Sequence, residues 1–176
     1  MLTGLVHIYT GDGKGKTTAA IGLGIRACGN GLKVIMVQFL KGSPTGELAI
    51  LRKLEPDFLV CRNNDLKGFF WNMNGEQKEE LRRFAAETLN YVQNKVSTEE
   101  WDLLILDEVM GAISNNLISV REIVDFIKNK PEKLEVVLTG RHAPRELVEI
   151  ADYVSEINPR KHPLKMGIAA RRGIEF

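Results

Sequence analysis

A lysine and two threonines close a loop of alternating glycines in Thr10-Gly11-Asp12-Gly13-Lys14-Gly15-Lys16-Thr17-Thr18, directly after the apolar run Leu5-Val6-His7-Ile8-Tyr9. Such glycines let the backbone bend until several N–H groups point into one concavity, a nest for an anion. Lys16 adds a mobile positive charge and Thr17 a hydroxyl suited to a magnesium ion, so polyphosphate is the natural guest. Gly11, Asp12, Gly13, Lys14, Gly15, Lys16, Thr17 and Thr18 are the expected contacts. Lys14 can also be read as a solvated lysine, and the whole loop as a turn that only needs positive φ angles. A strict phosphate-loop pattern asks for glycine at position 10, where Thr10 stands, with the glycine one place later at Gly11.

A second chemistry-bearing segment is Leu103-Leu104-Ile105-Leu106-Asp107-Glu108, an apolar strand ending in two carboxylates and resembling a Walker B motif. Carboxylates at the C-terminal end of a parallel strand point to the crevice where α/β sheets bind ligands. Asp107 or Glu108 is expected to hold magnesium, directly or through water. In the plainer alternative Asp107 caps the next helix and Glu108 is exposed, and both roles can coexist. Val136-Val137-Leu138-Thr139-Gly140-Arg141 is a third strand that breaks at the same rim. Arg141 is placed to reach phosphate or ribose, or to pair with a carboxylate such as Glu108. His142 and His7 read as surface or hydrogen-bonded residues, with His162 left open. In Lys67-Gly68-Phe69-Phe70-Trp71-Asn72, consecutive aromatics sit in a surface loop, where they either tuck inward or form a wall for a large planar ligand.

These segments need a scaffold, and the rest of the sequence supplies one. Short apolar runs alternate with helical patterns, the signature of strand-helix units in a parallel sheet. The strand candidates are Val6–Thr10, Val34–Leu40, Phe58–Cys61, Leu103–Asp107, Val136–Thr139 and Tyr153–Ile157. Runs such as Leu103 to Leu106 do not alternate polar with apolar and should be covered on both faces. Lys16–Arg26 should be a helix despite Gly22 and Gly24, each costing about 1 kcal/mol against alanine. Close approach of that helix to the sheet would offset the cost. Leu81, Phe84, Ala85, Leu89, Val92 and Val96 form one core-facing helical stripe, preceded by Asn74 and Gln77 at capping-box spacing. Further helices are expected over Glu47–Leu54, Val120–Asn129 and Pro144–Ala151, and 62–73 is a long irregular connection.

Composition excludes several classes. A chain of 176 residues suits one well-buried core. Its 44% hydrophobic and 27% charged content is ordinary for a soluble protein, and no apolar run approaches the roughly 20 residues that span a bilayer. The N-terminus lacks the basic and apolar regions of a signal peptide, so a cytoplasmic location is expected. With 24 basic and 23 acidic residues, no global charge excess drives nucleic-acid binding. Cys28 and Cys61 are far apart, without metal-ligand spacing, and read as inert thiols in a reducing compartment.

In this order the segments resemble the P-loop ATP:corrinoid adenosyltransferases. The resemblance rests on Thr10 to Ala20 with its displaced first glycine, Val37-Gln38-Phe39-Leu40-Lys41-Gly42 followed by Gly46-Glu47, and Gly68-Phe69-Phe70-Trp71. It continues through Leu106-Asp107-Glu108, Thr139-Gly140-Arg141, Ala151 to Glu156, Lys161-His162, Gly167 and Gly173-Ile174-Glu175. It covers nearly the whole chain and implies an α/β fold: a single RecA-like domain over residues 1–176 with a mostly parallel sheet flanked by helices, in a homodimer.

The same resemblance implies transfer of the 5′-deoxyadenosyl group of ATP to cobalt(I) of a reduced corrinoid, releasing triphosphate. The nucleophile then arrives with the substrate, which fits the absence of a catalytic triad. Lys16, Thr17 and Glu108 become the catalytic residues, with magnesium on Thr17, Asp107 and Glu108 and ATP on the loop and Arg141. Phe69 and Trp71 match the aromatics below the corrin ring that displace the lower axial ligand of cobalt(II), which a flavoprotein then reduces. Two departures stand out: family members often carry a longer polar N-terminal extension, and Phe70 replaces a smaller threonine.

A nucleoside or small-molecule kinase, or an ATPase, is the main rival reading, since these also bind ATP on such a loop. A GTPase is disfavoured because Asn129-Lys130-Pro131-Glu132 precedes its strand instead of following one. A nucleic-acid module with base-stacking aromatics is disfavoured by the charge balance.

Overall fold

The computed structural model describes residues 3–40, 45–62 and 73–175. Its strands are β1 (Val6–Thr10), β2 (Val34–Gln38), β3 (Phe58–Arg62), β4 (Leu103–Asp107), β5 (Glu135–Thr139) and β6 (Tyr153–Glu156). They form one six-stranded sheet in the order β3-β2-β4-β5-β1-β6, and every described pairing is parallel. This is the α/β architecture expected from the sequence. The helices are α1 (Lys16–Cys28), α2 (Gly46–Leu51), α3 (Gly75–Thr98), α4 (Val109–Ser114), α5 (Val120–Asn129) and α6 (Arg145–Val148).

All five residues of β4 are buried because successive side chains feed two separate cores. Leu104 and Leu106 pack with Ile8, Val37 and Leu138 and with the α3 stripe Leu81, Ala85, Leu89, Val92 and Val96. Leu103 and Ile105 pack on the other face with Met36, Phe58 and the α1 residues Ala20 and Ala27. The stripe on α3 is core-facing as expected except at Phe84, which is half-buried, and its capping box is complete: Gln77 N–H donates to Asn74 Oδ1 and Asn74 N–H to Gln77 Oε1, both at 2.9 Å. At the sheet edge, all four residues of β6 are exposed.

The two glycines of α1 have different reasons to be there. A Cβ on Gly24 would lie 2.6 Å from the Phe58 ring, so this position needs glycine for the helix to approach the sheet. A Cβ on Gly22 would meet nothing within 4 Å, and close approach does not explain it. Several expected elements are shorter than their sequence patterns. β2 ends at Gln38 instead of Leu40, the helix expected over Glu47–Leu54 becomes α2 followed by a 3₁₀ turn over Arg52–Leu54, and α6 covers only Arg145–Val148. The short helix α4 was not anticipated, since six residues are too few to show a helical period. Phe69, Phe70 and Trp71 lie outside the described residues, as do Lys41 and Gly42.

Candidate active site

Register brings the polar ends of the strands together. Tyr9 pairs with Thr139, Leu106 with Leu138 and Gln38 with Asp107, so Thr10, Thr139, Asp107 and Gln38 end β1, β5, β4 and β2 at one rim. The displaced glycine has a structural cause here. Thr10 is still a strand residue paired with Glu156, and the turn begins at Gly11, whose φ is 95°. A Cβ at Gly11 would lie 2.6 Å from the Ile157 carbonyl oxygen, so glycine is required at position 11 and not at position 10. Gly13 N–H then donates to that same Ile157 oxygen at 2.7 Å, tying the loop to the chain leaving β6.

α1 starts at Lys16 with Gly15 as its N-cap, and neither a side-chain cap nor an acidic residue occupies its first turn. With no acidic group there to compete, this helix start suits an anion, which the helix dipole also favours. Lys16 is buried, and its ammonium donates to the carbonyl oxygens of Gly11 at 2.6 Å and Gly13 at 2.8 Å. Burial lowers its pKa below the ordinary 10.5, Glu108 opposes that most strongly, and Arg141 adds to the lowering.

Asp107 is the fully buried hub of the rim. Its Oδ1 accepts from Thr17 Oγ1 at 2.8 Å and Thr139 Oγ1 at 2.7 Å, and its Oδ2 from Gln38 Nε2 at 3.2 Å. Thr139 Oγ1 in turn accepts the Glu108 N–H at 2.9 Å. That bond holds Glu108 in the left-handed region, at φ 60° and ψ 25°, where it precedes α4 without a side-chain cap. Glu108 stands at the N-cap without a side-chain cap and lines the cleft, while Asp107 orders its neighbours.

That cleft has a volume of about 660 Å³ and is lined by the whole loop from Asp12 to Thr18, by Glu108 and Arg141, and by His162. Arg141 pairs across its mouth with a carboxylate, one of the alternatives the sequence left open; the partner is Asp12, Nη1 to Oδ1 at 3.7 Å, and not Glu108. Lys14 donates at 3.0 Å to Glu175 Oε1 and at 3.0 Å to the Ile174 carbonyl oxygen. His142 is exposed in its loop, and His7 is hydrogen-bonded to Glu135, as expected for both. Cys28 and Cys61 are free thiols, each with its pKa pushed up by burial. Among the described residues no cluster of three His, Cys, Asp or Glu side chains is poised around a metal.

Gln38 and Thr139 were missed as site residues in the sequence. Their signal was present: each is a polar residue that ends a strand directly after an apolar run. Placing Gly173 to Glu175 in the cleft needed the fold.

A sheet of this kind, with a glycine loop opening α1 and an acidic strand end beside it, defines a P-loop α/β protein. Comparison with known sequences narrows the class. A family model described as "ATP:corrinoid adenosyltransferase BtuR/CobO/CobP" matches residues 2–176, and the chain belongs to that transferase family. It is 33% identical over 174 residues to the corrinoid adenosyltransferase of Escherichia coli (strain K12), covering 98% of this chain and 86% of that protein. Its identity to the corrinoid adenosyltransferase of Sinorhizobium sp. is 37% over 176 residues, covering 98% and 80%. With corrinoid adenosyltransferase CobA of Salmonella typhimurium it is 32% over 174 residues, covering 98% and 86%. Among the described residues no helix is long and apolar enough to cross a membrane.

Proposed function

We propose that this chain, acting as one domain, transfers the 5′-deoxyadenosyl group of ATP to cobalt(I) of a reduced corrinoid and releases triphosphate. Family membership supports the reaction, and one observation about the cleft supports the division of labour. Lys16, the N-terminal turn of α1 and Arg141 are gathered where a polyphosphate would lie, while no cysteine or serine is among the described lining residues. Such a site stabilises a leaving group and leaves the nucleophile to the substrate. The protein's own task is to hold C5′ against cobalt and to spread the charge of the departing triphosphate.

In this reading Gly11 to Thr18 and Arg141 bind ATP, and Lys16, Thr17 and Glu108 carry catalysis. The hydroxyl of Thr17, the carboxylate of Glu108 and the phosphates themselves are the hard oxygen donors that magnesium takes, with water completing its shell. Thr17 and Glu108 would hold the ion directly and Asp107 would act through Thr17; once bound, the ion would neutralise phosphate charge. Thr17 Oγ1 donates its hydrogen bond to Asp107, which orients the hydroxyl oxygen. Phe69 and Trp71 form the corrinoid wall, a flavoprotein supplies the electron to cobalt(II), and the enzyme works as a cytoplasmic homodimer.

Anoxic mixing with MgATP and chemically reduced cobalamin tests the proposal. The cobalt(I) spectrum should convert to that of a light-sensitive alkylcobalamin. Nucleotide turnover with no spectral change would return the site to the kinase or ATPase reading, which family membership does not favour.

A further inference from the structure

The segment after β6 leaves the sheet and returns to the phosphate loop. At its root, Ile157 N–H donates to the Thr10 carbonyl oxygen at 2.8 Å and the Ile157 carbonyl accepts from Gly13 N–H at 2.7 Å. At its far end Lys14 Nζ reaches both Glu175 Oε1 and the Ile174 carbonyl oxygen. Arg171 closes a turn on the same carboxylate: its backbone N–H lies 2.7 Å and its Nε 3.3 Å from Oε2, and its Nη2 3.1 Å from Oε1. Arg171 and Lys14 together hold the Glu175 carboxyl down at about 2, so it stays charged at any ordinary pH.

Apolar packing contributes little to this arrangement. Met166, Ile168 and Ile174 are 72%, 47% and 58% exposed, so the far end of the segment is fixed mainly by its polar contacts. Those contacts put Gly173, Ile174 and Glu175 into the wall of the cleft, in company with His162. Ile174 and Ile21 are its described aliphatic side chains, apart from the threonine methyls and the lysine stems, and they suit the uncharged end of a nucleotide better than its phosphates.

We propose that Lys14 and Glu175 are positioning residues for the nucleotide, forming a clasp that holds Gly173 and Ile174 over the phosphate-loop cleft as the wall for the nucleoside end of ATP. The proposal rests on the reading of this cleft as the ATP site. Lys14 then serves ATP through the segment it holds. An exposed ion pair is weak in isolation, but this one holds a wall whose described side chains pack little against the core, so its loss is felt in ligand affinity more than in folding.

Calorimetric titration with MgATP, without corrinoid, is the test. Glu175→Gln and Lys14→Ala should each weaken ATP binding about fivefold, the equivalent of an exposed pair at the upper end of its range. The double variant should be no weaker than the poorer single, Lys14→Arg should restore affinity, and the melting temperature of the unliganded protein should stay put. Tryptic cleavage at Arg171 and Arg172 should quicken in Glu175→Gln. If Lys14 serves phosphate directly, Glu175→Gln frees it and binding is unchanged or tighter, which overturns the clasp. Additive losses in the double variant overturn it as well. Failure of the unaltered protein to bind MgATP would be a different result, since it removes the ATP reading itself.

Discussion

The Thr17 hydroxyl donates to Asp107 Oδ1 at 2.8 Å, joining the first turn of α1 to the end of β4. The two carboxylates of the acidic pair are thereby given separate work. Asp107 is buried under Thr17, Thr139 and Gln38 and acts by orienting them, whereas Glu108 turns into the cleft. A buried carboxylate that accepts several hydrogen bonds fixes geometry in the way that outer-shell partners fix metal ligands.

Thr139→Val tests that division. The substitution keeps the shape but removes a hydroxyl that donates to Asp107 and accepts from the Glu108 N–H. Losing the buried bond to Asp107 and leaving the part-buried N–H without its partner should cost about 1–3 kcal/mol of stability. Because Glu108 loses its hold, kcat should fall more than KM for ATP rises. Denaturant unfolding and steady-state kinetics measure the two effects, and unchanged kcat in a destabilised variant would reduce Thr139 to a packing role.

Lys16 gives a pH prediction. Its folded pKa lies below 10.5, first through burial, with Glu108, Asp12 and Asp107 opposing and Arg141 assisting the shift. A bound polyphosphate favours the charged amine, so ATP binding must take up a proton once pH exceeds the free-enzyme value. kcat/KM for ATP should therefore fall as pH rises through a value below 10.5. Stability of the unliganded protein runs the other way, rising with pH across the window between the folded and unfolded pKa values, where the unfolded chain holds more protons. Lys16→Ala should lose activity on the order of 10²-fold and lose this alkaline limb with it. A rate profile flat to pH well above the ordinary lysine range would contradict the assignment.

The sheet and the loop were legible because each is written locally. Buried strands read as continuous apolar runs, and Gly11 to Thr18 is contiguous. What depends on distant pairing was not legible. That Arg141 meets Asp12 instead of Glu108 depends on how two loops leave β1 and β5. Lys14 meeting Glu175 joins residues 161 positions apart. Helix α4 was lost because its six residues are too few to show a helical period.

Gly22 and Gly24 looked alike in the sequence and are not alike in the fold. Gly24→Ala puts a methyl 2.6 Å from the Phe58 ring and should destabilise by about 1–3 kcal/mol. Gly22→Ala meets open space and should stabilise by about 0.5–1 kcal/mol through helix propensity and a less free unfolded chain. Thermal unfolding of the two single variants reads this directly, and equal effects of one sign would show that α1 packs on the sheet differently.

In the proposed reaction triphosphate is the leaving group and C5′ the reacting atom. Phosphorus NMR of a single-turnover mixture of enzyme, MgATP and reduced cobalamin under anoxic conditions tests this most directly. One inorganic triphosphate should form per alkylcobalamin, with no ADP. Formation of ADP and phosphate, with cobalt left unalkylated, would contradict it.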